Sequence, residues 1–272
     1  MKIGVFDSGF GGLDIFRQIE KILPKYDFVY LGDNARAPYG SRSQETIYQY
    51  VTESLDFLFS RGCQLVILAC NTASAEALRK VQQAYLPKKY PTRRVLGVII
   101  PAIEEAVQKT KNRKIGILGT ESTIQSEAFV AELKKKDSRI RAFQKACPLL
   151  VPIVEAGEKD QRIVNLSIEN YLKPLVAKNV DTLILGCTHY GLLLNNIRKI
   201  LAKSNRKILI VSEGKIVAKK LADYLRRHPE IERLLAKNSK RDFYTTDLTE
   251  KFRRIGGRLM GRKIGVQKVS LN

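Results

Sequence analysis

Tryptophan is absent from this 272-residue sequence, and histidine and methionine each occur only twice. Cysteine occurs four times, as Cys63, Cys70, Cys147 and Cys187. Four scattered cysteines without a CxxC pair cannot form a disulfide framework. With only His189 and His228 beside them, a Cys/His zinc site would need ligands from distant parts of the chain. The expectation is a cytoplasmic chain with free thiols and no metal. Long apolar runs are missing as well. The longest stretch free of Asp, Glu, Lys and Arg is the 16 residues from Thr182 to Ile197; Gly186, Thr188, His189 and Asn195 interrupt it, so it is too short and too polar to span a bilayer. Lys2 and Asp7 bracket the short apolar N-terminal run, so no secretory signal is expected.

Acidic residues are few: 27 Asp and Glu stand against 48 Lys and Arg, a formal charge of +21. Such a balance invites a nucleic-acid reading. No zinc finger, RNP-like strand or GxxG clamp accompanies it. The basic runs, among them Lys109 to Lys114, Lys134 to Lys136 and Arg253 to Lys263, lie between apolar segments or on the polar side of helical ones. They read as a solvated surface that would also steer small anionic substrates, with nucleic-acid binding as the rival from another class. Hydrophobic residues, at 44%, suffice for a real core and exclude a disordered chain. The length fits about two domains.

Short apolar strands alternate with amphipathic helical stretches. Ile3 to Phe6, Phe28 to Leu31, Leu65 to Ala69 and Val95 to Ile99 read as strands. Helices are expected from about Leu13 to Ile22, Gln44 to Ser60 and Ser74 to Ala84, with a long loop from Gly32 to Ser43. This alternation predicts an α/β fold with a doubly wound parallel sheet, its strands covered on both faces. The pattern then restarts. Lys114-Ile115-Gly116-Ile117-Leu118-Gly119-Thr120 echoes Lys2-Ile3-Gly4-Val5-Phe6-Asp7-Ser8, and Leu183 to Thr188 echoes Val66 to Asn71. The echo implies an internal duplication: two pseudo-symmetric domains, 1–97 plus 208–272 and 98–207, with the active site in the cleft between them. A later strand (Ile208 to Val211), a helix (Ile216 to Arg227), a strand near Phe243 to Thr245 and a basic closing helix (about Leu248 to Leu259) would complete the first domain.

Ligands of open α/β sheets sit beyond the carboxyl ends of the strands. Asp7-Ser8-Gly9-Phe10-Gly11-Gly12 lies at such an end. Its glycines allow a tight turn, but it matches neither the dinucleotide fingerprint nor a P-loop. Asp7 at a strand tip is poorly placed for packing and well placed for acid–base work. Cys70-Asn71-Thr72 and Cys187-Thr188-His189 each follow a strand, so each thiol has hydrogen-bonding side chains beside it, and a helix after each cysteine would favour the thiolate. Two thiols in equivalent settings with one histidine fit a two-base proton transfer better than a cysteine hydrolase. One thiolate takes a proton from one face of a carbon while the opposite thiol gives one to the other face. Cys63 and Cys147 lack this setting and read as structural; His228 reads as a surface residue at a helix end. Pro38-Tyr39-Gly40, in the long loop, is a candidate substrate wall.

Together these stretches resemble the glutamate racemase family: IGVFDSGFGG (Ile3 to Gly12), YLGDNARAPYG (Tyr30 to Gly40), ACNTASA (Ala69 to Ala75), GVIIP (Gly97 to Pro101), GILGTESTIQS (Gly116 to Ser126) and LGCTHY (Leu185 to Tyr190). The resemblance runs over nearly the whole chain. It implies cofactor-independent racemisation of glutamate, with Cys70 acting on the D- and Cys187 on the L-enantiomer. Asp7 would assist Cys70, His189 would assist Cys187, and Glu155 matches an acidic residue near the second thiol. Ser8, Tyr39, Gly40, Asn71, Thr72, Thr188 and His189 would hold the substrate's polar groups. A homodimer and a role in supplying D-glutamate for peptidoglycan are implied too. Three positions depart from the family pattern: Gly191 after the CTHY stretch, Val211-Ser212-Glu213, and Asn34. A racemase or isomerase of the same superfamily acting on aspartate, a hydantoin or maleate is the rival within enzymes.

Overall fold

The computed structural model describes residues 1–204 and 206–271. Among the described residues the strands, in chain order, are β1 (Lys2–Asp7), β2 (Phe28–Gly32), β3 (Cys63–Leu68), β4 (Arg94–Gly97), β5 (Lys114–Gly119), β6 (Arg141–Ala146), β7 (Thr182–Gly186), β8 (Leu209–Val211), β9 (Arg241–Thr245) and β10 (Val266–Lys268). The chain divides into two compact units, one from Met1–Val98 with Gly214 onward and one from Ile99–Glu213.

The first unit holds a sheet in the order β10-β9-β2-β1-β3-β4, with every pairing parallel. Its central strands β2 and β3 are buried along their whole length, as near-continuous apolar strands covered on both faces must be. The edge strand β10 is short and ends in exposed Gln267 and Lys268, which discourages further strand pairing. The helix Gly12–Ile22 lays Leu13, Ile15, Phe16 and Ile19 into the core, where Phe16 meets the rings of Phe28 and Phe243 edge-on. Ser43 caps the helix Gln44–Ser60 by accepting from the Thr46 amide at 3.3 Å.

The second unit holds a parallel sheet in the order β6-β5-β7-β8. That order repeats the β2-β1-β3-β4 core of the first unit, strand for strand. The duplication inferred from the two sequence echoes is therefore a duplication of topology. β5 occupies the place of β1, and β7 the place of β3. Asp7 and Gly119 consequently end corresponding strands, and Cys70 and Cys187 follow corresponding strands.

Several expectations need correction. The return to the first unit, placed at 208, falls after Glu213, because Leu209–Val211 bonds to β7 with Thr182 opposite Leu209 and Ile184 opposite Val211. The strand expected to run to Ile99 stops at Gly97, and Ile99 opens the helix Ile99–Lys109. Pro101 sits in the first turn of that helix, where its missing amide hydrogen costs no intrahelical bond. The loop from Gly32 to Ser43 contains two short helical turns, Asn34–Arg36 and Tyr39–Ser41. The helix expected at Ser74 begins at Asn71, directly after Cys70. The closing helix runs Glu250–Met260, capped by Thr249. Among the described residues no helix is long and apolar enough to cross a membrane.

Cys63 is the first residue of β3 rather than preceding it, and Cys147 follows β6; both are fully buried. Burial pushes each thiol up from 9.0 to about 12. The folded chain thus holds these protons more tightly than the unfolded chain does. The associated stability is complete below pH 9 and is lost as pH climbs toward 12, at about 1.4 kcal/mol per pH unit for each group. Cys63→Ala should therefore shallow the fall in unfolding free energy between pH 9 and 10, measured by urea titration. An unchanged slope would show that Cys63 does not titrate in this way.

Candidate active site

In the first unit the site is built at the carboxyl ends of β1 and β3. Asp7, the last residue of β1, is completely buried. Its carboxylate accepts the Gly9 amide at 3.0 Å, which folds the following turn back over it. A Cβ on Gly12 would lie 2.6 Å from the Asp7 Cβ and 2.9 Å from its Cγ, so only glycine lets the next helix start so close. Tyr30, buried in β2, donates to the Gly9 carbonyl at 2.9 Å and holds the same turn from beneath.

Cys70 caps the six-residue helix Asn71–Glu76. Its Sγ accepts from the Ser8 hydroxyl at 3.4 Å and from the Ala73 amide at 3.5 Å. These bonds favour the thiolate, as the sequence led one to expect from a helix start. Burial overrides them, and the Asp7 charge adds to burial, so the thiol is pushed up to about 11. Cys70 therefore rests as a neutral thiol, primed to give a proton. Asn71 and Thr72 are buried in the first turn of that helix. Ser74 ties the end of β3 in place, donating to the Leu68 carbonyl at 2.9 Å.

Tyr39 and Gly40 lie in the turn Tyr39–Ser41. Tyr39 is buried, and its ring packs against Phe6 and Tyr50. Its hydroxyl donates to Asp33, so its single proton is already engaged. What the turn has left to offer a ligand is backbone, ring and the accepting lone pair of that hydroxyl. Asn34, one of the three departures, accepts from the Thr245 hydroxyl at 3.0 Å, so its side chain fastens β9 to the turn below the site.

In the second unit the site forms after β7. Cys187 and His189 are buried, with Cys187 Sγ 3.9 Å from His189 Nδ1. His189 Nε2 lies 3.1 Å from Glu155 Oε1, on the helix Leu150–Ala156. An ionised carboxylate only accepts, so in the tautomer whose Nε2 donates to Glu155, Nδ1 faces the sulfur as an acceptor. Thiol, imidazole and carboxylate thus stand in a relay that can take the thiol proton. The expected α-helix directly after Cys187 is instead a tight turn over Thr188–Leu193, closed by Tyr190 N donating to the Cys187 carbonyl at 3.0 Å. This turn contains Gly191. Thr188 is buried within it. Tyr190, fully buried, donates to the carbonyls of Gly119 and Cys147 at 3.1 and 3.3 Å and locks the turn to the ends of β5 and β6.

Of the residues singled out in the sequence, Asp7, Ser8, Cys70 and Tyr39 come together in the first unit and Cys187, His189 and Glu155 in the second. The reading missed Asp33, which organises the Tyr39 turn, and Thr120, which caps the helix Glu121–Gln125 at the β5 end. The signals were present: Asp33 stands between the β2 strand and the Pro38-Tyr39-Gly40 loop, and Thr120 is the duplicate of Ser8. Cys63, Cys147 and His228 stay out of both groups; His228 instead meets Glu230 on the surface at 3.0 Å. Among the described residues no three His, Cys, Asp or Glu side chains gather as metal ligands would.

Two like parallel sheets carry a thiol with a neighbouring carboxylate at one strand end and a thiol with an imidazole–carboxylate pair at the matching end. Such pairs can take up and give protons, and the class in which the chain falls is that of the isomerases. The chain belongs to the Asp/Glu/Hydantoin racemase family, whose model matches residues 3–221. It is 40% identical over 273 residues to a glutamate racemase of Persephonella marina, covering 100% of this chain and 98% of the relative. A glutamate racemase isoform from Bacillus anthracis superposes with a TM-score of 0.89 at 37% identity, covering 99% of this chain and 97% of that one. The Francisella tularensis glutamate racemase, solved in complex with D-glutamate, gives 0.88 at 34% identity, covering 100% and 98%.

Proposed function

We propose that this chain interconverts L- and D-glutamate by exchanging the proton on Cα between two thiols, without a cofactor, and that it supplies D-glutamate for peptidoglycan in the cytoplasm. The observation that carries this reading is the placement of Cys70 and Cys187 after corresponding strands of two like sheets, each with its own acid–base neighbour. Relatives over the full chain bear the name glutamate racemase, and a similar structure holds D-glutamate, which favours glutamate over aspartate, a hydantoin or maleate.

The chemistry follows from the neighbours. Cys187 is the base toward L-glutamate: His189 Nδ1 accepts the thiol proton, and Glu155 steadies the imidazolium that forms. Cys70, resting as a neutral thiol, protonates the opposite face. In the reverse direction Asp7 accepts the Cys70 proton. The substrate's ammonium group brings a positive charge that lowers the cost of that thiolate. Ser8, Asn71, Thr72 and Thr188, with the backbone at Tyr39 and Gly40, hold the carboxylates and the ammonium group. The α-proton is weakly acidic, so hydrogen bonds aimed at the α-carboxylate, where charge develops, supply much of the rate. A homodimer is part of the proposal. The basic surface serves attraction of a net-anionic substrate rather than nucleic acid.

The test is circular dichroism of L-glutamate incubated with the purified chain and no added cofactor. The signal should decay to zero, with solvent deuterium entering Cα at the rate of inversion. Decay with L-aspartate and none with L-glutamate would reassign the substrate.

A further inference from the structure

We infer that Asp33 is a positioning residue of the proposed racemase, the hub that gives the Tyr39–Ser41 turn the shape in which it receives substrate. The inference rests on the function proposed above and adds a residue to which that mechanism gives no role.

Asp33 follows β2 and is completely buried. A buried carboxylate is tolerated only when its oxygens are occupied by donors. Here Oδ2 accepts from Arg36 Nε at 2.7 Å and from the Tyr39 hydroxyl, and Oδ1 accepts from the Thr246 hydroxyl at 2.8 Å. The Asp33 amide donates to the Asp7 carbonyl at 2.9 Å, joining the hub to the strand that carries the acid–base group. Its partners are anchored in turn. Arg36 pairs with Glu53 on the helix Gln44–Ser60 and lies over the Tyr50 ring, 4.1 Å from its centre. Thr246, just past β9, also accepts the Ala35 amide at 2.9 Å. The carboxylate therefore ties together the turn Asn34–Arg36, the Tyr39 turn and the segment after β9, and the Asp33 amide joins them to the end of β1.

Burying a charge costs free energy, which the pairing with Arg36 offsets only in part. What the charge provides is direction: three donors from three segments converge on two oxygens, which fixes where the Tyr39 ring and the Gly40 backbone stand. Those groups hold the substrate before and during proton transfer alike. Losing their placement should thus weaken substrate binding more than it slows chemistry.

Asp33→Asn keeps the size of the side chain but removes the charge and puts an NH2 group where one acceptor was. KM for both enantiomers should rise about tenfold, the scale of one charge-assisted hydrogen bond, while kcat stays within about threefold. Thr246→Val removes a single arm without touching the charge, so it tests the hub even if Asp33→Asn fails to fold. It should raise KM by about threefold, and Thr246→Ser, which restores the hydroxyl, should bring KM back. A wild-type KM in both Asp33→Asn and Thr246→Val, or a fall in kcat alone, would overturn the inference. A readout independent of turnover separates its failure from failure of the proposed function. Burial and the Asp33 charge hold the Tyr39 phenol well above its usual range. In Asp33→Asn the Tyr39 resonance of ring-labelled protein, assigned with Tyr39→Phe, should titrate at lower pH. If the wild-type chain leaves glutamate unchanged yet this titration moves, the hub stands and the substrate assignment falls. If the chain racemises glutamate and neither KM nor the titration moves, the reverse holds.

Discussion

Cys70→Ser and Cys187→Ser should each lower glutamate racemisation by about a thousandfold or more, within the range that positioned acid–base groups supply. Serine keeps the shape and can still accept from Ser8 and Ala73 at position 70, so the backbone circular dichroism and the melting temperature should hold. What it cannot do is ionise near neutral pH. The losses must match in the two directions, because the equilibrium constant between enantiomers in water is one and kcat/KM for each direction is tied to the other. Proton exchange carries no such constraint. With Cys70 replaced, Cys187 and its imidazole still face the L-enantiomer, so L-glutamate should exchange its α-proton with deuterated solvent faster than D-glutamate does. Cys187→Ser should show the opposite preference. Proton NMR of each enantiomer in heavy water measures both rates. Wild-type turnover by either variant, or exchange with no enantiomer preference, would rule out division of labour between two thiols.

The parts of this molecule that could be read in advance are those whose physics is local. Buried parallel strands announce themselves as uninterrupted apolar runs, so β1, β2, β3, β5 and β7 were recognisable. The repeat of Lys114–Gly119 and Leu183–Thr188 against the N-terminal half revealed the duplication before the shared strand order did. β6 could not be found this way: Arg141–Ala146 is a polar edge strand, half exposed, with no apolar run to mark it. β8 was given to the first unit instead of the second because strand pairing is a non-local choice; Leu209–Val211 reads alike whichever sheet accepts it. At the site, residue types and strand-end positions pointed to Asp7, Cys70, Cys187 and His189, whereas Glu155 rested on family resemblance until its contact with His189 appeared. The protonation of Cys70 was misjudged for an energetic reason. The helix after Cys70 was expected to favour the thiolate, and the bonds from Ser8 and Ala73 act in the same direction, but burial beside a buried carboxylate is the larger effect.

That balance leads to a second large effect, in which reactivity and turnover should move in opposite directions. Asp7→Asn removes the charge that, after burial, contributes most to holding the Cys70 thiol up. The amide still accepts from the Gly9 amide through its oxygen, so the turn over Gly12 should survive. With the repulsion gone the Cys70 pKa falls from about 11, and at pH 8 a larger fraction of the thiol is ionised. Alkylation of Cys70 by iodoacetamide, followed by peptide mass spectrometry, should therefore speed up severalfold. Burial remains, so the thiol should stay above its ordinary value and the gain should stop well short of full ionisation. Racemisation should nevertheless fall by about a hundredfold, because asparagine can neither accept the Cys70 proton nor return it. The loss should be greater from the D-side than from the L-side in solvent exchange, since only D-glutamate needs Cys70 as its base. A merely structural Asp7 predicts something else: a loosened turn would speed alkylation of Cys70 while lowering the melting temperature, with exchange of both enantiomers reduced alike. A variant that is more reactive at sulfur, unchanged in melting temperature and selectively unable to exchange D-glutamate would identify Asp7 as the proton acceptor for Cys70.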